Sequence, residues 1–243
     1  MTEKNTNQDG KTLLTQSVGI GTLKETSLHA GLKSWYARPG DQLEQVVDGY
    51  VVDILRDDSL IEIQTANFSA IKAKLNRLVE QHHVRLVYPI AQKKWIVRTE
   101  KDGRIIGRRK SPKQGCYEDL FIELVRIPAL ILHPNFELEL LLTWEEEIWL
   151  RDNRGSWRRK GWSIADRRLL DVVDRWLLAS PGHLRSFLPD LLPVPFTSHE
   201  LAQAIRKPIY LAQKMAYCLR SIGLIEIIGK RRNAWLYRIG PEG

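Results

Sequence analysis

A carboxylate in the middle of an otherwise apolar strand constrains this chain more than anything else in its sequence. Between Val47 and Gln64, two runs rich in Val, Ile and Leu flank a tight turn at Arg56 to Ser59, the pattern of a β-hairpin. On the second run Leu60, Glu62 and Gln64 alternate with Ile61, Ile63 and Thr65, so the two sets point to opposite faces. Burying Glu62 there is costly unless something pairs with it. Asp53 holds the corresponding place on the first run, so the hairpin brings two carboxylates and a carboxamide to one edge. That donor set suits a divalent metal.

The segments around the hairpin read as α/β. Residues 1 to 17 are polar and without period, and are expected to be a disordered tail. A helix is expected from Thr22 to Tyr36, with Thr22 and Glu25 at capping-box spacing and Arg38-Pro39-Gly40-Asp41 as its stop. Its inward stripe is Glu25, Leu28, His29, Leu32, Trp35 and Tyr36. His29 lies one turn from Glu25, although a histidine in an apolar stripe is most often a hydrogen-bonded core residue. After the hairpin, Phe68, Ile71, Leu75, Leu78 and Val79 have helical spacing, and His83 to Ile90 reads as a buried strand. A helical crossover makes the strands at 60 to 65 and 84 to 90 parallel. Lys94 to Thr99 adds a further strand.

An inward Glu on a first helix, an Asp near a strand end, E-x-Q on the next strand, then a helix and an apolar strand resemble the core of the PD-(D/E)xK nuclease superfamily, in its restriction-endonuclease-like and junction-resolvase-like branches. The resemblance covers roughly residues 19 to 96. It implies a mixed sheet flanked by helices, with Asp53 and Glu62 holding Mg²⁺ or Mn²⁺ and Glu25 as an auxiliary acid. Gln64 stands where that family carries Lys, and an amide can hydrogen-bond a water but supplies no charge. The resemblance allows a lysine recruited from the following helix, for which Lys72 is the first choice and Lys74 the second. It implies a nucleic-acid substrate and leaves DNA or RNA, duplex or branched, open, and pairing of two copies to cut both strands is common in that architecture.

The next stretch is basic. Arg98 to Lys113 carries Arg104, Arg108, Arg109 and Lys110 around a hairpin turn at Asp102-Gly103, and phosphate contact is the favoured role. Tyr117 to Ile127 reads as a helix and Phe136 to Leu142 as a strand. Glu145, Glu146 and Glu147 are consecutive and so do not share a face, which favours a solvated run over a metal cluster. Arg158 and Arg159 sit in a basic, aromatic linker between Trp157 and Trp162 that suits nucleic-acid backbone contact.

A second domain is expected from 153 to 243, after an α/β domain at 18 to 152. It would begin with an amphipathic helix from Ile164 to Leu178. Thr197 or Ser198 then caps a helix to Ile205, a turn at Arg206-Lys207-Pro208 leads to a helix ending at Ile222, and strands at 224 to 228 and 235 to 239 flank a basic tip. Two close helices and such a hairpin resemble a winged helix-turn-helix domain. By that resemblance Tyr210, Gln213 and Lys214 on the second helix and Lys230, Arg231 and Arg232 at the wing would contact DNA.

Composition narrows the class. A formal charge of +8 favours an anionic partner. No apolar run reaches about eighteen residues and no basic-then-apolar leader opens the chain, so a cytoplasmic location without a membrane span is expected. Cys116 and Cys218 lie far apart without a C-x-x-C partner, which argues against zinc and disulfides. The functional expectation is therefore a metal-dependent DNA endonuclease serving repair, restriction or defence. The alternative is a non-catalytic DNA-binding regulator on a degenerate nuclease scaffold.

Overall fold

The computed structural model describes residues 26–155 and 157–240. The expected tail at 1 to 17, the Thr22–Glu25 capping box and Glu25 itself lie outside them. Helix α1 spans Ser27–Tyr36 and is capped by Thr26, whose hydroxyl accepts from the His29 N–H. A strand that the hydrophobic pattern does not announce follows, β1 at Gln42–Val47, most of its residues exposed. The hairpin comes next, β2 at Tyr50–Arg56 and β3 at Ser59–Ile63, then α2 at Phe68–Leu78.

The two expected strands at 83 to 90 and 94 to 99 are one long strand, β4 at His83–Thr99. It runs parallel to β3, with Ser59 opposite His83 and Ile63 opposite Val87. Strand β5 (Ile105–Lys110) turns back at Asp102-Gly103 and pairs with β4 from Trp95 to Thr99. The expected helix at 117 to 127 is a 3₁₀ turn at Tyr117–Asp119 continuing into a short α3, Leu120–Leu124.

Two corrections concern the longest strands. The strand expected at 136 to 142 runs on as β6, Phe136–Arg151, and the segment expected as a helix at 164 to 178 is β7, Trp162–Leu178. The apolar residues of β7 fit a helical stripe because three register shifts along the β6–β7 ladder break the strict alternation of a strand. Pairing decides the matter, since without β7 the sixteen residues of β6 would present an open edge. The seven-stranded mixed sheet has the order β1-β2-β3-β4-β6-β7, with β5 beside the distal half of β4.

Helix α1 covers one face, packing Leu28, Leu32 and Tyr36 on Ile54, Ile61, Ile63, Val87 and Leu141. Its approach to β7 is close enough that a Cβ on Gly31 would lie 3.2 Å from the Leu169 Cβ. Polar bonds hold its ends. Ser27 Oγ donates to Asp166 at 2.6 Å, and the Tyr36 hydroxyl donates to the buried Glu139 while accepting from Arg85 at 3.2 Å.

On the other face α2 and α3 share one core with the C-terminal elements: α4 (Ser198–Ala204), α5 (Ile209–Ser221), and a separate hairpin of β8 (Ile225–Arg231) and β9 (Ala234–Ile239). Leu120, Phe121 and Leu124 join Leu211, Met215 and Leu219 in that core. The expected boundary at 152 therefore does not separate two cores. Chain beyond it supplies an edge of the sheet and part of the cover.

Candidate active site

The β2–β3 ladder pairs Arg56 with Ser59, Leu55 with Leu60 and Ile54 with Ile61, and stops there. Asp53 and Glu62 stand just past its last pair. Asp53 Oδ2 accepts the Ile63 backbone N–H at 2.7 Å and faces His29 Nε2 of α1 at 3.1 Å. Glu62, only 7% exposed, accepts from Lys74 Nζ at 2.5 Å through Oε1, and the same ammonium reaches the Val51 carbonyl at 2.6 Å. The other Glu62 oxygen is buried without a hydrogen-bond partner among the described residues.

The environments push the two acids apart. Burial, and then the neighbouring Asp53 charge, lift Glu62 to about 7 despite the Lys74 ammonium. Burial also opposes ionisation of Asp53, but hydrogen bonds from His29 and from the Ile63 N–H outweigh it and hold that carboxyl below its ordinary value. One carboxylate is thus charged throughout the neutral range, while its neighbour gains or loses a proton there. The pair supplies hard oxygen donors, and the orphaned Glu62 oxygen has unused capacity for a cation. Among the described residues no three His, Cys, Asp or Glu side chains gather as a metal-ligand group, so most of a cation's shell would be water or substrate.

The structure separates the other expected site residues. Gln64 turns into the loop before α2, where its amide donates to the carbonyls of Ala66 and Asn67. Lys72 is exposed, and Lys74 reaches the carboxylates instead. Residues two apart on a helix point roughly 200° from each other, so one lysine faces the site and the other does not. On the basic hairpin Arg104, Arg109 and Lys110 are exposed, whereas Arg108 is paired with Glu146 at 2.8 Å over the Trp95 ring. Arg159 folds back on the Trp162 carbonyl at 3.3 Å, and the Arg158 side chain lies outside the described residues.

In the C-terminal part Tyr210 and Gln213 are exposed on α5. Lys214 is not on that surface, because its ammonium donates to the Ile122 carbonyl of α3 at 3.2 Å. At the hairpin Lys230 lies over the Trp235 ring, Arg231 pairs with Glu200 at 2.8 Å, and Arg232 is exposed in the turn.

The acidic run at 145 to 147 is not solvated. As part of β6, Glu145 and Glu147 face inward at 3% and 5% exposure, and Glu146 faces Arg108. Glu147 accepts from Lys94 at 2.7 Å, and Glu145 accepts from the Thr143 hydroxyl at 2.7 Å. The period of two in E-x-E is the signal that places both on one face, and it applies because β6 continues through them to Arg151.

Fold and site together define a mixed α/β protein in which a carboxylate pair and a helix-borne lysine meet where two strands part. The chain belongs to a family described as "Domain of unknown function (DUF8091)", which matches residues 26–179. That span runs from the start of α1 to just past the end of β7, so it contains the whole sheet and the carboxylate pair. It is also 31% identical over 225 residues to an uncharacterized protein of Treponema pallidum (strain Nichols), covering 92% of this chain and 89% of that one. No solved structure matches the chain significantly. Among the described residues no helix is long and apolar enough to cross a membrane.

Proposed function

We propose that this protein is a Mg²⁺- or Mn²⁺-dependent phosphodiesterase acting on DNA, with Asp53 and Glu62 as the metal-holding carboxylates and Lys74 in the place of the lysine absent at position 64. The single observation that carries this is the Lys74 ammonium on Glu62, beside Asp53. The elements also follow the order of the restriction-endonuclease-like core: an inward helix, three antiparallel strands, a crossover helix and a parallel strand.

A divalent ion held there would lower the pKa of a bound water and offset charge on a phosphate. The chain's own part is to keep Asp53 ionised through His29 and the Ile63 N–H, and to hold Glu62 against Lys74. Lys74 also places a fixed positive charge beside the carboxylates. Exposed Arg104, Arg109 and Lys110 and the C-terminal helix pair and hairpin, read as a winged helix with Tyr210, Gln213 and Arg232 outward, would hold the duplex.

The test is cleavage of supercoiled, linear, single-stranded and branched DNA with Mg²⁺ or Mn²⁺. Wild type and Lys72→Met should cut, while Lys74→Met and Asp53→Ala should fall at least about a hundredfold, in the range of a lost transition-state contact. Equal cleavage by Lys74→Met and Lys72→Met would overturn the assignment of Lys74.

A further inference from the structure

Strand β3 ends at Ile63 opposite Val87, and β5 begins to pair with β4 only at Trp95. Between them the edge of β4 from Tyr88 to Ala91 is left without a strand, and a notch of about 250 Å³ opens there. Loop residues close its two ends. Thr65 and Ala66 stand on the β3 side, and Gly115 on the other, its N–H bonded to the Ala91 carbonyl at 2.9 Å.

Apolar walls and a polar end make the notch suited to a flat, polar-edged ligand. Leu28, Ile90 and Ile122 line it, as do Tyr88 and Glu145. Glu145 is only 3% exposed, and among the described residues only one of its oxygens is engaged, by Thr143. The Tyr88 hydroxyl has no hydrogen-bond partner among the described residues, although the ring is wedged edge-on against Phe68. Lys94 and Arg167 also line the notch; both pair with Glu147, Lys94 Nζ at 2.7 Å and Arg167 Nε at 3.5 Å, and their remaining N–H groups bring positive charge beside the Glu145 carboxyl. The volume falls just below the usual range for whole drug-sized ligands, about 300–1,000 Å³, and leaves room for a single aromatic base.

We propose that this notch binds one nucleobase turned out of a nucleic-acid strand, and that the base is guanine. Burial raises Glu145 above its ordinary value against the Thr143 hydrogen bond and the Lys94 and Arg167 charges, and in its ionised form the carboxylate only accepts hydrogen bonds. The Watson–Crick edge of guanine offers N1–H and N2–H₂ side by side, whereas neutral adenine, cytosine and thymine each present an acceptor in that pair of positions. The O6 acceptor of guanine would then meet Lys94 or Arg167. Extruded bases are read in this way, by their Watson–Crick edge within a fitted pocket. Glu62 is opposite Leu86, so Ile90 lies four residues further along β4, or about 13 Å at the rise of a strand. That is the span of a few stacked nucleotides. The placement of the base in the strand being cut rests on the phosphodiesterase reading; the pocket and its preference do not.

The experiment is calorimetric titration of the metal-free protein with dGMP, dAMP, dCMP and dTMP. The variants are Glu145→Gln, Ala66→Phe and Asp53→Ala, each checked by thermal melting. dGMP should bind at least about tenfold more tightly than the other three, and Glu145→Gln should remove about tenfold of that affinity, as for a lost hydrogen bond to a charged group. Ala66→Phe, a change at an exposed rim position, should block all binding, and Asp53→Ala should leave it intact. Equal affinity for the four nucleotides, or full dGMP affinity in a folded Glu145→Gln or Ala66→Phe protein, would overturn the proposal. A dGMP preference in a protein that cuts no DNA would sustain the pocket and sink the phosphodiesterase. Cleavage without that preference would do the reverse.

Discussion

Replacing Glu62 by Gln should make the metal-free protein more stable, and by an amount that grows with pH. In the unfolded chain this carboxyl titrates near 4.5, and in the folded protein near 7, because it is buried beside Asp53. Below pH 4.5 both states are protonated and the group contributes no difference. Between 4.5 and about 7 the folded state keeps a proton that the unfolded state releases, so folding stability falls as pH rises through that window. The full loss, reached above pH 7, is about 3 kcal/mol at roughly 1.4 kcal/mol per unit. Glutamine carries no charge to bury, yet its carbonyl can still accept from Lys74. Urea unfolding of wild type and Glu62→Gln in EDTA should therefore give similar stabilities at pH 4.5 and a variant about 3 kcal/mol more stable at pH 8. A variant that is less stable at pH 8, or a difference that does not change with pH, would refute the argument. It would mean that the Lys74 pair more than offsets the burial of the charge. Excess Mn²⁺ should raise the wild-type melting temperature and leave that of the variant unchanged, since binding stabilises only the state that holds the ion.

Three further changes test the surroundings. Tyr36→Phe removes a hydroxyl that joins Glu139 to Arg85 under α1, and should cost about 1–3 kcal/mol in urea unfolding. Gly115→Ala would place a Cβ 2.6 Å from the Ala91 carbonyl, so the loop must leave β4; faster hydrogen exchange at residue 115 and about 1–3 kcal/mol of lost stability should follow. Thr197→Ala breaks the capping box with Glu200 at the start of α4 and should cost about 1 kcal/mol, seen as a lower thermal midpoint.

What could be read in the sequence was local. The hairpin turn at Arg56 to Ser59, the parallel crossover through α2, the basic hairpin and the capped helix pair all follow from short-range periods and turn residues. Strand length was not local. Lys94 to Thr99 and Glu145 to Arg151 look like separate polar segments, because half of their side chains face solvent or opposite charge, and only the pairing of β4 with β6 over most of its length joins them to the strands before. In β7, bulges broke the alternation that would have told strand from helix. At the site, Asp53 and Glu62 could be placed from the hairpin alone. Choosing between Lys72 and Lys74 needed the rotation of α2 about its axis, which its apolar stripe defines only loosely, since both lysines flank it.

The early end of β3 connects the two proposed sites. Five residues of β3 lie beside seventeen of β4, and what stops β3 is visible: the Gln64 amide closes onto the Ala66 and Asn67 carbonyls, and Asn67 takes a left-handed conformation, φ 58°, to start α2. Had β3 run on, it would have covered the edge of β4 at Tyr88 to Ala91 and filled the notch. A lysine at 64 would bring an ammonium on a longer, flexible stem in place of that amide, and in the proposed site its charge is already supplied by Lys74 from nearly two turns inside α2. On this reading Gln64 is a trade between two positions. The charge sits on the helix, and the residue that would have carried it ends the strand, opening the space beside β4. Gln64→Lys should then leave cleavage little changed, because Lys74 remains, but weaken dGMP binding by loosening the loop that carries Thr65 and Ala66.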